Sequence, residues 1–187
     1  MSYKPGFLRG AIIAFALFFV CAMRADAQSW TSLSQSQRNA LIVAQARHDV
    51  GLTGGNCKTW VNNVVYVASS YVRNLPATAT WPATGETNAA YWWNPYDPNF
   101  AYVTGQTAQN LSTVPSGSII QMRVKNQSTG VTYPHTAIVE SNYNGTMYLL
   151  ESNYRIPYVV TRRGPLTYAD FLATLENPTY YTVYQIK

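Results

Sequence analysis

PHTAIVESNYNGTMYLLESNY, residues 134–154, places two runs rich in Ile, Val, Thr, Tyr and Leu on either side of the turn signal NYNG. The arms His135–Ser141 and Thr146–Asn153 read as neighbouring antiparallel strands. The turn decides which side chains share a face. If Asn144-Gly145 form a two-residue turn, His135 lies opposite Tyr154, and Glu151 and Asn153 point the other way. If the loop is Tyr143-Asn144-Gly145, with Gly145 left-handed in a type I turn plus bulge, His135 pairs with Asn153 and Glu151 becomes its diagonal neighbour. A cluster of His135, Glu151 and Asn153 therefore requires an odd-length loop or an added bulge, and the three-residue loop is the expectation.

Upstream the pattern is helical. Ser34 to Val50 has a Ser cap, good helix formers inside and Gly51 just past its end. After a tight loop, Trp60, Val61, Val64, Val65, Ala68, Tyr71 and Val72 fall at the spacing of one buried helical face, with Cys57 as its first member. Leu75 to Pro115 lacks periodicity and reads as long ordered loops. Beyond it, Ser118–Val124, Tyr158–Arg162 and Tyr180–Ile186 read as further strands, and Tyr168–Leu175 as a short helix capped by Thr167. Helices followed by an antiparallel sheet predict an α+β domain, with N-terminal helices packed on the sheet. No repeat or linker divides it.

The first 27 residues read as an export signal. Lys4 and Arg9 precede the apolar run Ala11–Met23, and Ala25-Asp26-Ala27 has the small-x-small form of a cleavage site that would leave Gln28 first. An uncleaved anchor is disfavoured by the short run, and a lipid anchor at Cys21 by Val20 before it. The expected location is secreted or periplasmic, with no stable membrane anchor after cleavage, and residues 28–187 form a single domain. The net charge of +5 would fall with the loss of Lys4, Arg9, Arg24 and Asp26. A mildly basic chain suits a polyanionic surface, and no basic stripe argues for nucleic acid.

Cleavage would also remove Cys21 and leave Cys57 without a disulfide partner in an oxidising compartment, which marks it as a candidate reactive thiol. Its place at a helix N-terminus favours thiolate. Such a nucleophile needs a base and an orienting group, near in space rather than in sequence. Of the two histidines, His48 beside Asp49 suits a helix end, which leaves His135 as the base and either Glu151 or Asn153 to hold its ring. Gly54 and Gly55 allow either close approach of substrate or a tight turn. The aromatic stretch with Tyr91, Trp92, Trp93, Tyr96, Phe100 and Tyr102 either stacks on sugar rings or packs on itself. Arg162 and Arg163 either meet an acidic substrate or lie at a solvated strand end. No metal-ligand spacing is present, and neither metal nor cofactor is expected.

GGNCKTWVNNVV, VPSGSIIQM, PHTAIVES and NGTMYLLESNY together resemble the CHAP family of cysteine, histidine-dependent amidohydrolases and peptidases, in the papain-like superfamily. The resemblance covers roughly Leu41–Tyr154. It implies a papain-like fold, Cys57 as nucleophile, His135 as base, Glu151 as the residue orienting the imidazole, Asn153 as a supporting polar group, and amide hydrolysis through a thioester. Gly55, Asn56, Trp60, Trp92 and Trp93 are expected to contact substrate. Thr59 stands where many members carry an aromatic, and Asp49 alone represents the acidic cluster of calcium-binding members. With export, the expected activity is cleavage of peptidoglycan by an endopeptidase or an N-acetylmuramoyl-L-alanine amidase. The alternatives are a non-catalytic wall-binding or surface-binding module and an acyl or peptidyl transferase. Expected partners are peptidoglycan or a peptide, and an inhibitor or immunity protein.

Overall fold

The computed structural model describes residues 29–75, 93, 100–103, 111–179 and 181–187. The chain divides into two compact units, Met1–Ser32 and Leu33–Lys187. Of the first, the described part is a 3-10 turn at Trp30–Ser32; the expected export signal lies outside the described residues.

The second unit holds two long helices, α1 (Gln35–His48) and α2 (Cys57–Ala68), followed by strands β1 (Phe100–Val103), β2 (Ile119–Lys125), β3 (Thr132–Tyr143), β4 (Thr146–Ser152) and β5 (Val160–Thr167). A short helix α3 (Tyr168–Ala173) and strand β6 (Tyr181–Ile186) complete it. The strands form one antiparallel sheet in the order β1-β6-β2-β3-β4-β5, so the α+β expectation holds. Ser34 caps α1 in a reciprocal box with Gln37, and Thr167 caps α3 in the same way with Asp170. Two expectations are corrected. Phe100–Val103 is a strand inside the stretch read as loops, and β5 continues past Arg162 to Thr167.

Both sheet faces are covered near the centre. Ile120, Met122, Ala137, Val139, Met147, Leu149 and Val183 form one core with Phe171 of α3 and Leu175. The alternate residues Ile119, Ile138, Leu150, Tyr184 and Ile186 are buried too, on the side where α1 packs against β3 and β6, and α2 against β3 and β4. Strands covered on both faces lose the polar alternation of a one-sided sheet, which is why Ile119-Ile120-Gln121-Met122 is buried throughout.

The β3–β4 hairpin departs from the three-residue expectation. Tyr143 pairs with Thr146, and Asn144 (φ 50°) and Gly145 (φ 77°) make a two-residue turn with both residues left-handed. Asn-Gly is the pair that tolerates this conformation best. By itself that turn would separate His135 from Glu151. The register shifts farther up, between Val139↔Leu149 and Ser141↔Tyr148, so Glu140 is an extra residue in β3. The bulge is braced: Arg47 Nε of α1 donates to Glu140 Oε1 at 2.8 Å, Arg162 of β5 donates to Oε2, and Ser116 Oγ donates to the Glu140 carbonyl at 2.5 Å.

A second shift affects β5. Met147 pairs with Leu166 and Leu149 with Arg163, so Gly164 and Pro165 together oppose Tyr148. Gly164 has φ +139°, and a Cβ there would come within 2.6 Å of the Tyr148 ring. This irregularity puts Arg163 on the Glu151 face and Arg162 on the other, since the regular register would exchange them.

Candidate active site

Residues 51–55 lead into α2 along the start of β5. Gly51 N–H donates to the Val160 carbonyl at 3.0 Å, Val160 N–H to that of Leu52 at 3.0 Å, and Gly54 N–H to that of Tyr158 at 2.8 Å. A Cβ on Gly54 would lie 2.7 Å from Val160 Cγ2, 2.8 Å from Ser152 Oγ and 2.9 Å from Trp60 Cδ1. Its lack of a side chain serves close packing of the loop on its own sheet. Gly55 faces open space and is needed for its φ of +74°. Its carbonyl accepts from Ser152 Oγ at 2.7 Å. Asn56 is the N-cap of α2 with no side-chain cap bond, so its exposed amide is available to a ligand.

This seating puts Cys57 at the first helical position, 8% exposed. His135, 1% exposed, is hydrogen-bonded to the Cys57 side chain. Its Nε2 lies 3.1 Å from Glu151 Oε2, which leaves Nδ1 for the sulfur. Burial lowers the His135 pKa, but the bonds to Cys57 and Glu151, with their charges, raise it further, to about 9. At neutral pH the ring is therefore a cation between two acceptors.

Asn153 does not join this line. It takes a left-handed φ of 59°, which ends β4 just before the residue that would oppose His135, and its Oδ1 accepts from Tyr158 N–H at 3.1 Å. Its side chain closes the 153–158 loop instead.

Two expected substrate contacts are corrected. Trp60 is 2% exposed and its Nε1–H donates to Asp49 Oδ2 at 3.0 Å. Trp93 is 1% exposed, stacked 5.3 Å from Phe100 and edge-on to Tyr184 at 5.7 Å. Neither ring offers a face to a ligand, because both fill the core under α2. Trp92 lies outside the described residues. His48 sits exposed at the end of α1, 3.3 Å from Asp49.

Sequence reasoning missed Arg163. It is 2% exposed, not solvated, with Nη2 3.1 Å from Glu151 Oε2 and Nε 2.8 Å from Oε1. Only the β5 irregularity brings it there, and no motif announces that shift. Lys58, next to Cys57, lies with Nζ 5.2 Å from the Trp93 ring; burial pulls its pKa to about 8, against the opposing pull of Cys57.

The CHAP domain matches residues 47–153, which include Cys57, His135 and Glu151. The chain belongs to the CHAP domain family. No curated protein matches this CHAP chain in sequence. Among solved structures it is similar to that of Ly7917, at 18% identity and a TM-score of 0.50 over 78% of this chain and 61% of that one. It is also similar to Ly7917 with the hydrolyzing product of MDP, at 16% identity and a TM-score of 0.52 over 79% and 63%. These likenesses support the fold. This CHAP chain spans about three fifths of the length of the structures it matches.

Proposed function

We propose that this CHAP domain is an exported cysteine hydrolase that cuts amide bonds of peptidoglycan, as an endopeptidase or an N-acetylmuramoyl-L-alanine amidase. The observation that carries the reading is the Cys57–His135–Glu151 line, a thiol on a histidine whose far nitrogen is held by a buried carboxylate. The substrate class draws support from the similar fold of Ly7917, solved with the hydrolyzing product of MDP. Export draws support from Lys4, Arg9 and the apolar run that follows them.

In this reading His135 holds the proton taken from Cys57, and the helix N-terminus favours the resulting thiolate. The sulfur attacks the amide carbonyl, with the Cys57 N–H available to the oxyanion; a donor so placed is worth about 10²–10³ in rate. The imidazolium protonates the leaving amine as the C–N bond breaks, giving a thioester and a neutral ring. That ring then takes a proton from water, whose oxygen attacks the thioester and expels the thiolate. Glu151 keeps the ring oriented throughout.

Cys57→Ala should keep the fold and release no soluble fragments from purified sacculi. Undiminished release would refute the assignment. Mass spectrometry of the wild-type fragments separates new amino termini within stem peptides, made by an endopeptidase, from freed glycan chains, made by an amidase.

A further inference from the structure

We propose that Arg163 is a positioning residue for the thiol–imidazole pair, acting through the Glu151 carboxylate. Four side chains from four successive packed elements form one line: Cys57 of α2, His135 of β3, Glu151 of β4 and Arg163 of β5. In the reacting state their charges alternate, thiolate, imidazolium, carboxylate, guanidinium, and the line is neutral. Glu151 is 0% exposed, and a carboxylate sealed from water needs charge and hydrogen-bond partners on each side. Oε2 takes both His135 and Arg163 Nη2, each at 3.1 Å. Oε1 faces Arg163 Nε at 2.8 Å without the alignment of a hydrogen bond, a contact of charge against charge. The guanidinium thus spans both carboxylate oxygens and fixes the plane that His135 reads.

Arg163 is itself held. Its guanidinium carbon lies 4.2 Å over the Tyr154 ring and Nη1 donates to the Tyr154 hydroxyl at 3.1 Å, while that ring stands 5.1 Å from His135. The other titratable groups facing the line among the described residues are Tyr133, whose pKa burial raises, and Lys58, beside Cys57. Arg163 lies outside the span that matches the CHAP domain, so the family match assigns it nothing.

The proposal rests on Cys57 being a reactive thiolate, and its test needs no turnover. The rate of Cys57 alkylation by iodoacetamide, read by peptide mass spectrometry across pH, follows thiolate formation and stands apart from any failure of the wall-cleavage reading. Without Arg163 the Glu151 carboxylate loses the fork that holds its plane toward His135, and the thiolate–imidazolium pair forms less readily. Arg163→Met should therefore move the acid midpoint of alkylation up by about one to two pH units. Arg163→Lys, which keeps the charge but not the fork, should show part of this shift. In a Glu151→Gln background Arg163→Met should shift the midpoint no further. An unmoved midpoint in Arg163→Met, or an equal shift in the Glu151→Gln background, overturns the proposal. If Arg163→Met does not fold, Arg163→Lys carries the test: a midpoint above that of the wild type supports the proposal, and an unmoved one overturns it.

Discussion

Arg47 Nε donates to Glu140 Oε1 at 2.8 Å, so the first helix grips the residue of β3 that is skipped between its paired neighbours Val139 and Ser141. Glu140 is 5% exposed although both of its arginines reach solvent. Glu140→Ala should cost about 1–3 kcal/mol by leaving the bulge unbraced, and should lower turnover further than unfolding explains, because the bulge holds His135 and Glu151 on one face. Urea denaturation beside turnover per folded molecule checks this. Full activity in Glu140→Ala would show that the bond from the Ser116 hydroxyl to the carbonyl of residue 140 suffices.

The His135 ring gives a pH dependence with a definite sign. Its value is raised from the ordinary 6.5 to about 9, so the folded state binds this proton more tightly than the unfolded chain. The stabilisation is fully present below about 6.5 and is lost as pH rises through about 9, on the order of 3 kcal/mol in all. Thermal melts from pH 6 to pH 10 should show the loss, and His135→Ala should remove that part of the slope. Activity should fall in the same upper range, as the imidazolium that protonates the leaving amine disappears.

Gly54 and Gly55 should separate cleanly. Gly54→Ala would drive a methyl into Val160, Ser152 and Trp60, costing about 1–3 kcal/mol and displacing the loop that seats Cys57. Gly55→Ala meets no atom within 4 Å and carries only the left-handed penalty, about 1 kcal/mol. Chemical denaturation of both variants should rank Gly54→Ala as the more destabilised, and turnover should follow that ranking.

Asn153 offers a test between loop closure and ring support. Asn153→Asp retains an acceptor for Tyr158 N–H and a tolerance for positive φ, so it should keep near-wild-type activity. Asn153→Leu loses both, and its defect should fall on KM more than on kcat, because the loop it closes adjoins Gly54 and Gly55. A large kcat loss in Asn153→Asp would return Asn153 to the ring.

The helices, the hairpin arms and the place of Cys57 at the start of a helix were legible because each rests on local spacing or capping chemistry. Ser34 and Thr167 cap where short-range rules place them. What was not legible depends on contacts remote in sequence. Glu140 gives no local sign of a bulge, since its brace comes from Arg47 and Arg162. Periodicity sets Trp60 on the buried face, but Trp93 looked like a binding aromatic until the core claimed it, because composition cannot tell a buried ring from a waiting one. Arg163 and Arg162 are neighbours in sequence with opposite fates, decided by the single extra residue at Gly164-Pro165.

Because the shift at Glu140 lies between the hairpin tip and the active residues, the tip is insulated from catalysis. Tyr143, Asn144 and Gly145 are exposed, and Tyr143 pairs with Thr146 in the outer frame. A peptide epitope or an affinity tag grafted between Asn144 and Gly145 would lengthen a loop without passing any change of phase to His135. The same insertion between Ala137 and Ile138 would scramble the site. The hairpin is therefore a natural attachment point for a label on a working enzyme.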